Sequence, residues 1–233
     1  MSSSRVMVLV PAFNEAERIG AVVRGVARVL PDAEIVVVDD GSRDDTTLEA
    51  TRAGARVLDL PFNLGYGGAL QTGYRYALEN RTDVIVQMDA DGQHDPAQIP
   101  ALLETLEREG ADLVIGSRFL APSGYTMGAT RTVGRKLFQR LARVAGLEVT
   151  DPTSGFQAIR RSVFSIYVDP FFPTDYPDVD VLLVVHRAGH RIVEVPVVMH
   201  QTTRPSTLHG GLRSIFYVYR LGLSVWGGAG KAR

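Results

Sequence analysis

The chain has 233 residues, of which 45% are hydrophobic and 22% are charged, and its formal net charge is −1. This length suits one large domain or two small ones, and the absence of cysteine excludes disulfide bonds, thiolate metal ligands and a cysteine nucleophile. The charge is segregated: residues 1–112 carry 10 basic and 19 acidic residues, whereas residues 113–147 and 195–233 carry six and five basic residues and no acidic one.

The first half of the chain alternates β-branched runs with amphipathic segments. Nearly continuous Val and Ile runs are typical of parallel strands buried on both faces, and we predict such strands at residues 5–10, 33–39, 55–60, 83–89 and 111–116. The intervening segments predict helices, one with its apolar face between Ile19 and Leu30 and the others at 45–54, 67–80 and 97–109. Asn14 and Asp95 are the expected caps of the first and last of these helices.

After residue 116 the pattern changes. Residues 117–131 are rich in Gly, Ser and Thr and predict a loop, and the segments after them predict a helix at 132–145, a turn at 151–156, a helix around 178–189 and a strand at 191–199. No convincing linker divides the chain. The repeated β-α alternation therefore predicts a single α/β domain with a Rossmann-like, doubly wound, mostly parallel sheet, helices on both faces, and ligands at the carboxyl ends of its strands.

Carboxylates follow three of the predicted strands. Asp89 and Asp91 leave the fourth strand two residues apart, so they can converge on one hard cation such as Mg²⁺ or Mn²⁺. An Asp-rich turn that only caps the next helix is the structural alternative. Because the first strand leads to Glu15 and the second to Asp39 and Asp40, carboxylates gather at one edge of the sheet. We therefore favour a site for a cation and a nucleotide.

Glycines mark the start of the third predicted helix. The segment FNLGYGGALQTG (62–73) places Gly65, Gly67 and Gly68 where free backbone N–H groups suit an anion or a closely approaching ligand. It contains neither a G-x-G-x-x-G nor a G-K-[ST] pattern, so the sequence gives little support to a dinucleotide-binding dehydrogenase or a P-loop NTPase.

Five motifs in fixed order, VPAFNE, VVDDGS, NLGYGGA, DADGQH and DPTSGFQAIRR, resemble those of glycosyltransferase family 2, which has the GT-A fold. The resemblance is greatest to the dolichyl-phosphate mannose synthase-like branch, which acts on polyprenyl phosphates, and it covers roughly residues 5–200. It implies a catalytic domain at 1–200, with a nucleotide-sugar and metal half at 1–116 and an acceptor half at 117–200. Residues 201–233 are then a closing loop and a C-terminal amphipathic helix.

The resemblance also implies roles for individual residues. The expected nucleotide-sugar-binding residues are Pro11, Ala12, Phe13, Glu15, Asp39, Asp40, Asn63, Gly68, Asp89, Ala90 and Arg204. The expected ligands of Mg²⁺ or Mn²⁺ are Asp89, Asp91 and Gln93. The expected catalytic residues are Asp91, Arg118, Arg131 and Asp151, with both arginines facing the acceptor phosphate. Tyr66 departs from the family pattern, because many members have Lys there, and a direct phosphate contact is not expected from it.

The acceptor decides whether the reaction requires a base. In glycosyl transfer the nucleoside diphosphate departs from an anomeric carbon that becomes oxocarbenium-like. A metal ion and basic side chains stabilise the negative charge that develops on the departing diphosphate. A phosphate monoester acceptor is already anionic and needs only positioning, for which residues 113–147 supply six cations. A sugar hydroxyl would need a carboxylate base, and Asp151, Asp178 and Asp180 are the candidates. We favour the phosphate acceptor and inversion at the anomeric carbon.

The C-terminal segment 212–226 combines aromatic and aliphatic residues with Arg213 and Arg220. It predicts either a helix packed on the domain or an interfacial helix on anionic lipid or on a small separate membrane subunit. No apolar run reaches the roughly 20 residues that span a bilayer, and the N-terminal run is too short for a signal peptide. We therefore expect a cytoplasmic protein, peripheral at the cytosolic face of the membrane, with no nucleic acid partner.

Two other functions remain open at this point. The first keeps the donor chemistry and transfers the sugar to a hydroxyl of a saccharide or small molecule. The second is a non-catalytic nucleotide-binding subunit of a membrane complex, against which the intact Asp89-x-Asp91 pair and Glu15 argue. The sequence does not specify the sugar, and both GDP-mannose and UDP-glucose fit as donors.

Overall fold

The structure is a computed structural model that describes residues 4–120, 139–140, 143, 146–170, 172–173, 177 and 179–200. Arg131 and Arg204, which the resemblance places in the site, lie outside the described residues. The same holds for Asp178, for most of the loop predicted at 117–131 and for the C-terminal helix. Of the helix predicted at 132–145, only Gln139, Arg140 and Arg143 are described, and they are helical.

Seven strands form one sheet. They are β1 (Val6–Ala12), β2 (Glu34–Asp39), β3 (Arg56–Asp59), β4 (Val84–Gln87), β5 (Leu113–Ser117), β6 (Gln157–Arg160) and β7 (Ile192–Pro196). Their order is β3-β2-β1-β4-β6-β5-β7, and every pairing is parallel except the two made by β6, which runs antiparallel to both β4 and β5. The predicted α/β fold with a mostly parallel sheet is therefore confirmed, with one antiparallel strand that we did not predict.

Helices cover both faces of the sheet. They are α1 (Ala16–Val29), α2 (Thr46–Arg52), α3 (Tyr66–Glu79), α4 (Ile99–Arg108), α5 (Arg161–Tyr167) and α6 (Val179–Arg187), and a short 3₁₀ turn (Pro96–Gln98) leads into α4. Met7 and Leu9 of β1 pack with α3, α5 and α6, whereas Val8 and Val10 pack with α1, α2 and α4. Because successive strand side chains point to opposite faces, one Val-rich strand supplies both hydrophobic cores.

Two helix caps illustrate what the local sequence decides. Asp95 accepts a hydrogen bond of 2.9 Å from the Ala97 N–H ahead of α4, as predicted. Asn14 does not cap α1, so that prediction was wrong: its side-chain oxygen accepts the Arg43 N–H at 2.9 Å, and the Ala16 N–H donates to Asp44 at 3.2 Å. The loops after β1 and β2 thus use each other's polar groups, because the two strands are neighbours in the sheet.

Within the described part of the chain, no helix is both long enough and apolar enough to cross a bilayer.

Candidate active site

The candidate site lies where β1, β2 and β4 end. Ala12 pairs with Asp39, and Leu9 pairs with Gln87, so the three neighbouring strands finish at the same edge of the sheet. The chain runs outward from β1 to β2 and β3 on one side and places β4 on the other. A crevice is expected at such a change of direction in a doubly wound sheet.

Two buried carboxylates after β2 hold the loops of this edge. Asp39, 2% exposed, accepts the Ser42 N–H at 3.0 Å and the Thr47 hydroxyl. Asp40, 3% exposed, accepts the Leu64 N–H at 2.7 Å and the Gly65 N–H at 3.0 Å. Burial raises the pKa of Asp40, and the two backbone hydrogen bonds oppose that shift. Asp40 therefore ties the segment before α3 to the end of β2.

Close packing of the same two loops explains Gly41. It has a φ of 70°, and a Cβ there would lie 2.8 Å from the carbonyl carbon of Phe62. Phe13, after β1, is 45% exposed, and Phe62 is 63% exposed. Both aromatic side chains are therefore accessible from solvent.

The first loop also carries an ion pair. The Glu15 carboxylate accepts the Arg18 Nε–H at 2.6 Å, and the Glu15 N–H donates to the Thr46 hydroxyl at 2.8 Å. The hydrogen bond that Arg18 donates to Glu15 raises the pKa of Arg18, and the nearby charge of Asp91 adds to that shift. Glu15 and Asp91 were predicted in different roles, but both interact electrostatically with the Arg18 guanidinium.

Residues 89–94, which follow β4, form the D-x-D turn. Asp91 accepts hydrogen bonds from the Gln93 N–H, at 2.9 Å, and from the Gln93 side-chain amide. Asp89 Oδ1 accepts the Tyr66 hydroxyl at 2.8 Å, and the Asp89 N–H donates to His94 Nδ1 at 3.0 Å. The turn thus fixes both carboxylates through neighbours that are themselves part of the site.

His94 is the last residue of this turn, and its side chain is buried. It is 4% exposed, and its Nε2 lies 3.7 Å from Asp89 Oδ2. Burial lowers the pKa of His94, and the charges of Asp89 and Asp91 oppose that shift. The ring is therefore neutral near pH 7, with Nδ1 accepting a backbone hydrogen bond and Nε2 carrying the proton.

Residues 151–156 form a second turn, the acceptor turn, named for the role that the sequence predicts for it. Asp151 has no exposed surface, and its two oxygens each accept a hydrogen bond of 2.7 Å from the Arg118 guanidinium. Glu194 of β7 accepts the Thr150 and Asp151 N–H groups at 2.7 and 2.8 Å. The Ser154 hydroxyl donates to the Gly116 carbonyl at 2.7 Å. This turn is therefore fastened to β5 and to β7.

The two turns contact each other directly. The Phe156 ring stacks on His94 at a centroid distance of 5.0 Å and an interplanar angle of 13°. A Cβ on Gly155 would lie 3.0 Å from the Tyr66 hydroxyl oxygen and 3.1 Å from each Asp89 carboxylate oxygen. The motifs predicted to serve donor and acceptor thus form one continuous site.

The segment after β7, residues 197–200, packs beside the D-x-D turn. Met199 forms an isolated antiparallel bridge with His94, and the His200 N–H donates to the Gln93 carbonyl at 2.8 Å. The chain therefore reaches residue 200 beside the D-x-D turn.

The side chains around Asp89 and Asp91 suit a hard divalent cation. Among the described residues, no three His, Asp or Glu side chains converge on a common point as a complete metal site. Two carboxylates are nevertheless a fitting partial donor set, because Mg²⁺ and Mn²⁺ take oxygen ligands and complete their shells with substrate phosphates and water. The Gln93 amide nitrogen is bonded to Asp91, so Gln93 also orients that carboxylate.

The remaining predicted residues are placed as follows. Asn63 accepts the Gly65 N–H at 3.1 Å, Ala12 and Ala90 are each 4% exposed, and Gly68 is a buried residue of α3 against Leu64.

The sequence assigned no role to His94 or Glu194. His94 belongs to the DADGQH motif, which was a usable signal, whereas Glu194 is a lone acidic residue in an apolar strand whose partners are more than 40 residues away.

Comparison with known proteins places this geometry in a family context. The sequence profile of Glycosyl transferase family 2 matches residues 7–167. Undecaprenyl-phosphate mannosyltransferase from Micrococcus luteus is 35% identical over 96% of this chain and 97% of its own length. Polyprenol monophosphomannose synthase from Mycolicibacterium smegmatis is 32% identical over 84% of this chain and 77% of its own.

A solved structure has a similar fold. Glucosyl-3-phosphoglycerate synthase from Mycobacterium tuberculosis, in complex with phosphoglyceric acid, superposes with a TM-score of 0.72 at 26% identity and covers 97% of this chain and 81% of its own. The same enzyme with Mn²⁺, uridine diphosphate and phosphoglyceric acid superposes with a TM-score of 0.68 at 25% identity, over 97% and 80% of the two chains.

Proposed function

The chain belongs to glycosyltransferase family 2 and has the GT-A fold, and we propose that it transfers a hexosyl group from a nucleoside diphosphate sugar to a polyprenyl phosphate. The relatives favour mannose as the transferred sugar, because both the Micrococcus and the Mycolicibacterium proteins are named for mannosyl transfer to a polyprenyl carrier. We place the reaction at the cytosolic face of the membrane, where a lipid-linked acceptor would meet the enzyme.

The donor nucleoside is assigned to the edge formed by the loops after β1 and β2. Phe13 offers exposed aromatic surface for a base. Glu15, which accepts a hydrogen bond from Arg18 through one oxygen, is assigned to the ribose hydroxyls. Asp39 and Asp40 are already bonded to Ser42, Thr47, Leu64 and Gly65, so their contribution is to hold the loops that line this surface.

The diphosphate is assigned to the D-x-D turn. Asp89 and Asp91 would hold a Mg²⁺ or Mn²⁺ ion, as the structure of the related synthase with Mn²⁺ and uridine diphosphate suggests, and that ion would offset the charge developing on the leaving diphosphate. Tyr66 donates to one oxygen of Asp89, and Gln93 donates to both oxygens of Asp91 through its backbone N–H and its side-chain amide. His94 accepts the backbone N–H of Asp89. These contacts keep the two carboxylates in place.

The pairing of Asp151 with Arg118 carries the choice of acceptor. A general base must reach the hydroxyl proton that it removes, yet Asp151 has no exposed surface and both of its oxygens bind one guanidinium. This arrangement argues against Asp151 as the base and so supports an acceptor that needs none. Of the other two candidates, Asp178 lies outside the described residues, and one Asp180 oxygen accepts the Val181 N–H at 3.0 Å. A phosphate monoester fits, because its oxygen is already anionic near neutral pH.

The proposed transfer is a single nucleophilic displacement at the anomeric carbon. A phosphate oxygen of the acceptor attacks the anomeric carbon from the face opposite the nucleoside diphosphate. The new C–O bond forms as the bond to the leaving diphosphate breaks, and that electron pair leaves with the diphosphate. The product is a sugar linked to the lipid through phosphate with inverted anomeric configuration, and no proton has to be removed from the nucleophile.

A donor and metal panel tests the proposal. GDP-mannose and UDP-glucose, each radiolabelled in the sugar, are incubated with enzyme, undecaprenyl phosphate and Mn²⁺, and organic-extractable label is counted. We expect lipid-linked label with one donor, loss of it with a chelator, and at least a hundredfold loss in Asp91→Asn, given the usual effect of removing a group that stabilises developing charge. No product with any donor, or full activity in Asp91→Asn, would contradict the proposal.

A phosphorylated small molecule is the second candidate acceptor. The similarity to a synthase crystallised with phosphoglyceric acid favours it, at a TM-score of 0.72. Water-soluble labelled product in the same assay, formed with 3-phosphoglycerate and not with the lipid, would select this alternative.

The C-terminal segment led us to expect either a small membrane subunit or contact with the membrane itself, and the proposal keeps only the second. The Micrococcus relative matches over nearly its full length, and nothing in the comparisons supports a separate small membrane subunit, so none is included in the proposal. Peripheral membrane contact is retained, because a polyprenyl acceptor is anchored in lipid.

A further inference from the structure

Three side chains form a directed hydrogen-bonded chain that ends on Asp89. The Tyr74 hydroxyl donates to the Gln87 side-chain oxygen, and the Gln87 side-chain nitrogen donates to the Tyr66 hydroxyl oxygen at 3.4 Å. The Tyr66 hydroxyl then donates to Asp89 Oδ1 at 2.8 Å. Each hydroxyl has a single hydrogen, and a carboxylate can only accept, so all three bonds point the same way.

Rigid elements supply every member of this chain. Tyr66 and Tyr74 lie on α3, and Gln87 is the last residue of β4, paired with Leu9 of β1 and Gln157 of β6. Tyr74 is 1% exposed, and Gln87 is 4% exposed. Hydrogen bonds in such buried surroundings are stronger than in water and polarise one another, so the position of Tyr66 is well defined.

The acceptor turn closes over the end of the chain. Gly155 leaves only about the space of its own hydrogen against the Tyr66 hydroxyl and both Asp89 oxygens. His94 Nε2 faces the second oxygen, Asp89 Oδ2, at 3.7 Å, which is longer than a hydrogen bond. Tyr66 therefore holds one carboxylate oxygen of Asp89 by a hydrogen bond, and the Asp89 side chain as a whole is 34% exposed.

We propose that Tyr66, supported by Gln87 and Tyr74, is a positioning residue that orients Asp89 for the divalent cation and its bound nucleoside diphosphate. A Lys at this position would bring a positive charge beside the carboxylate, and that charge would compete with the metal. A tyrosine hydroxyl fixes one oxygen and leaves the carboxylate charge intact. The inference rests on the proposed function only for the role of Asp89 in binding metal.

Metal binding tests this role independently of sugar transfer. Mn²⁺ is titrated calorimetrically into the enzyme saturated with GDP or UDP, for the wild type and for Tyr66→Phe, which keeps the ring and removes the hydroxyl. We expect about tenfold weaker Mn²⁺ binding, the lower end of the range for lost partners of metal ligands. In turnover assays we expect a higher Mn²⁺ requirement, with kcat largely restored at saturating Mn²⁺.

Matched variants separate positioning from a general effect on the fold. Tyr76→Phe removes a hydroxyl from the same helix, where it donates to Glu34 at 2.7 Å at the opposite end of β2, and we expect unchanged Mn²⁺ binding. Tyr74→Phe removes the far end of the chain, and we expect a smaller weakening in the same direction. Tyr74→Phe also serves as the test if Tyr66→Phe does not fold.

The outcomes separate this inference from the proposed function. Wild-type Mn²⁺ affinity in Tyr66→Phe, or an equal loss in Tyr76→Phe, would overturn the positioning role. Absence of Mn²⁺ binding by the wild type with every nucleoside diphosphate would overturn it as well, because Asp89 would then not be a metal ligand. Normal Mn²⁺ binding without transfer to polyprenyl phosphate would refute the proposed acceptor and leave the role of Tyr66 standing.

Discussion

Arg118 and Asp151 form two parallel hydrogen bonds of 2.7 Å, and the carboxylate of that pair has no exposed surface. A bidentate pair of this kind is both strong and geometrically specific. Arg118 also donates its backbone N–H to Asp151 at 3.1 Å, so the end of β5 and the acceptor turn are locked together. We interpret the pair as the element that shapes the acceptor side, rather than as a base with a separate phosphate ligand.

Breaking this pair should destabilise the fold. Arg118→Ala leaves a buried carboxylate without its partner, a change that costs about 3–5 kcal/mol in comparable sites. Urea unfolding measures it. Glu107→Gln is the control, because Glu107 pairs with Arg160 at 3.0 Å on the surface and should contribute at most about 1 kcal/mol. Equal, small losses in both variants would show that the buried pair is energetically unimportant.

Gly155→Ala should impair the site while leaving the fold largely intact. Its Cβ would meet the Tyr66 hydroxyl and both Asp89 oxygens at 3.0–3.1 Å, so one of these groups has to move. We expect roughly tenfold weaker Mn²⁺ binding, as for the loss of a partner of a metal ligand. Gly20→Ala is the control, since its Cβ would approach only the flexible end of Arg24. Unchanged metal binding in Gly155→Ala would show that Asp89 is not confined by this turn.

Glu194 should make stability depend on pH. Burial raises the pKa of Glu194, and the backbone hydrogen bonds to Thr150 and Asp151 oppose the shift without cancelling it. A carboxyl whose pKa is raised on folding stabilises the native state below its unfolded pKa of about 4.5, and this contribution is lost as the pH rises through the folded pKa. The stability of the wild type relative to Glu194→Gln should therefore fall from pH 4 to pH 7.

Urea unfolding of both proteins at intervals of one pH unit gives that difference directly. Effects of other titrating groups largely cancel between wild type and variant. A difference that grows with pH in favour of the wild type would mean that the two backbone N–H groups stabilise the charged form more than burial opposes it, and that the pKa of Glu194 is lowered.

The strands that local sequence could predict are the ones buried on both faces. The Val and Ile runs of β1, β2, β4 and β5 were sufficient to predict these strands. Because parallel strands end at the same edge of the sheet, Asp39 and Asp89 were expected near each other. β6 was missed because QAIR is only four residues long and leads straight into α5. Its strand character comes from pairing with β4 and β5 on either side, which is information from distant parts of the chain.

In the site, too, local motifs could be predicted from the sequence, whereas their contacts with each other could not. The D-x-D turn and the acceptor turn were recognisable as motifs, but their mutual contact through Phe156 and His94 depends on β6 lying between β4 and β5. Likewise, the sequence assigned Asp40 to a ligand, whereas the structure gives both of its oxygens to the backbone of residues 64 and 65. Which partner a carboxylate takes is decided by tertiary packing, and spacing along the chain does not reveal it.

The most direct test of the account compares two acceptors that differ only in their phosphate. Undecaprenyl phosphate and undecaprenol are each incubated with the enzyme, Mn²⁺ and the labelled donor selected from the panel, and the lipid-extractable label is measured. Label on undecaprenyl phosphate and none on undecaprenol is the predicted result, because the described site holds Asp151 in an ion pair and the phosphate supplies its own anionic oxygen. Equal labelling of the alcohol would contradict the account, since it would require a base that accepts the hydroxyl proton.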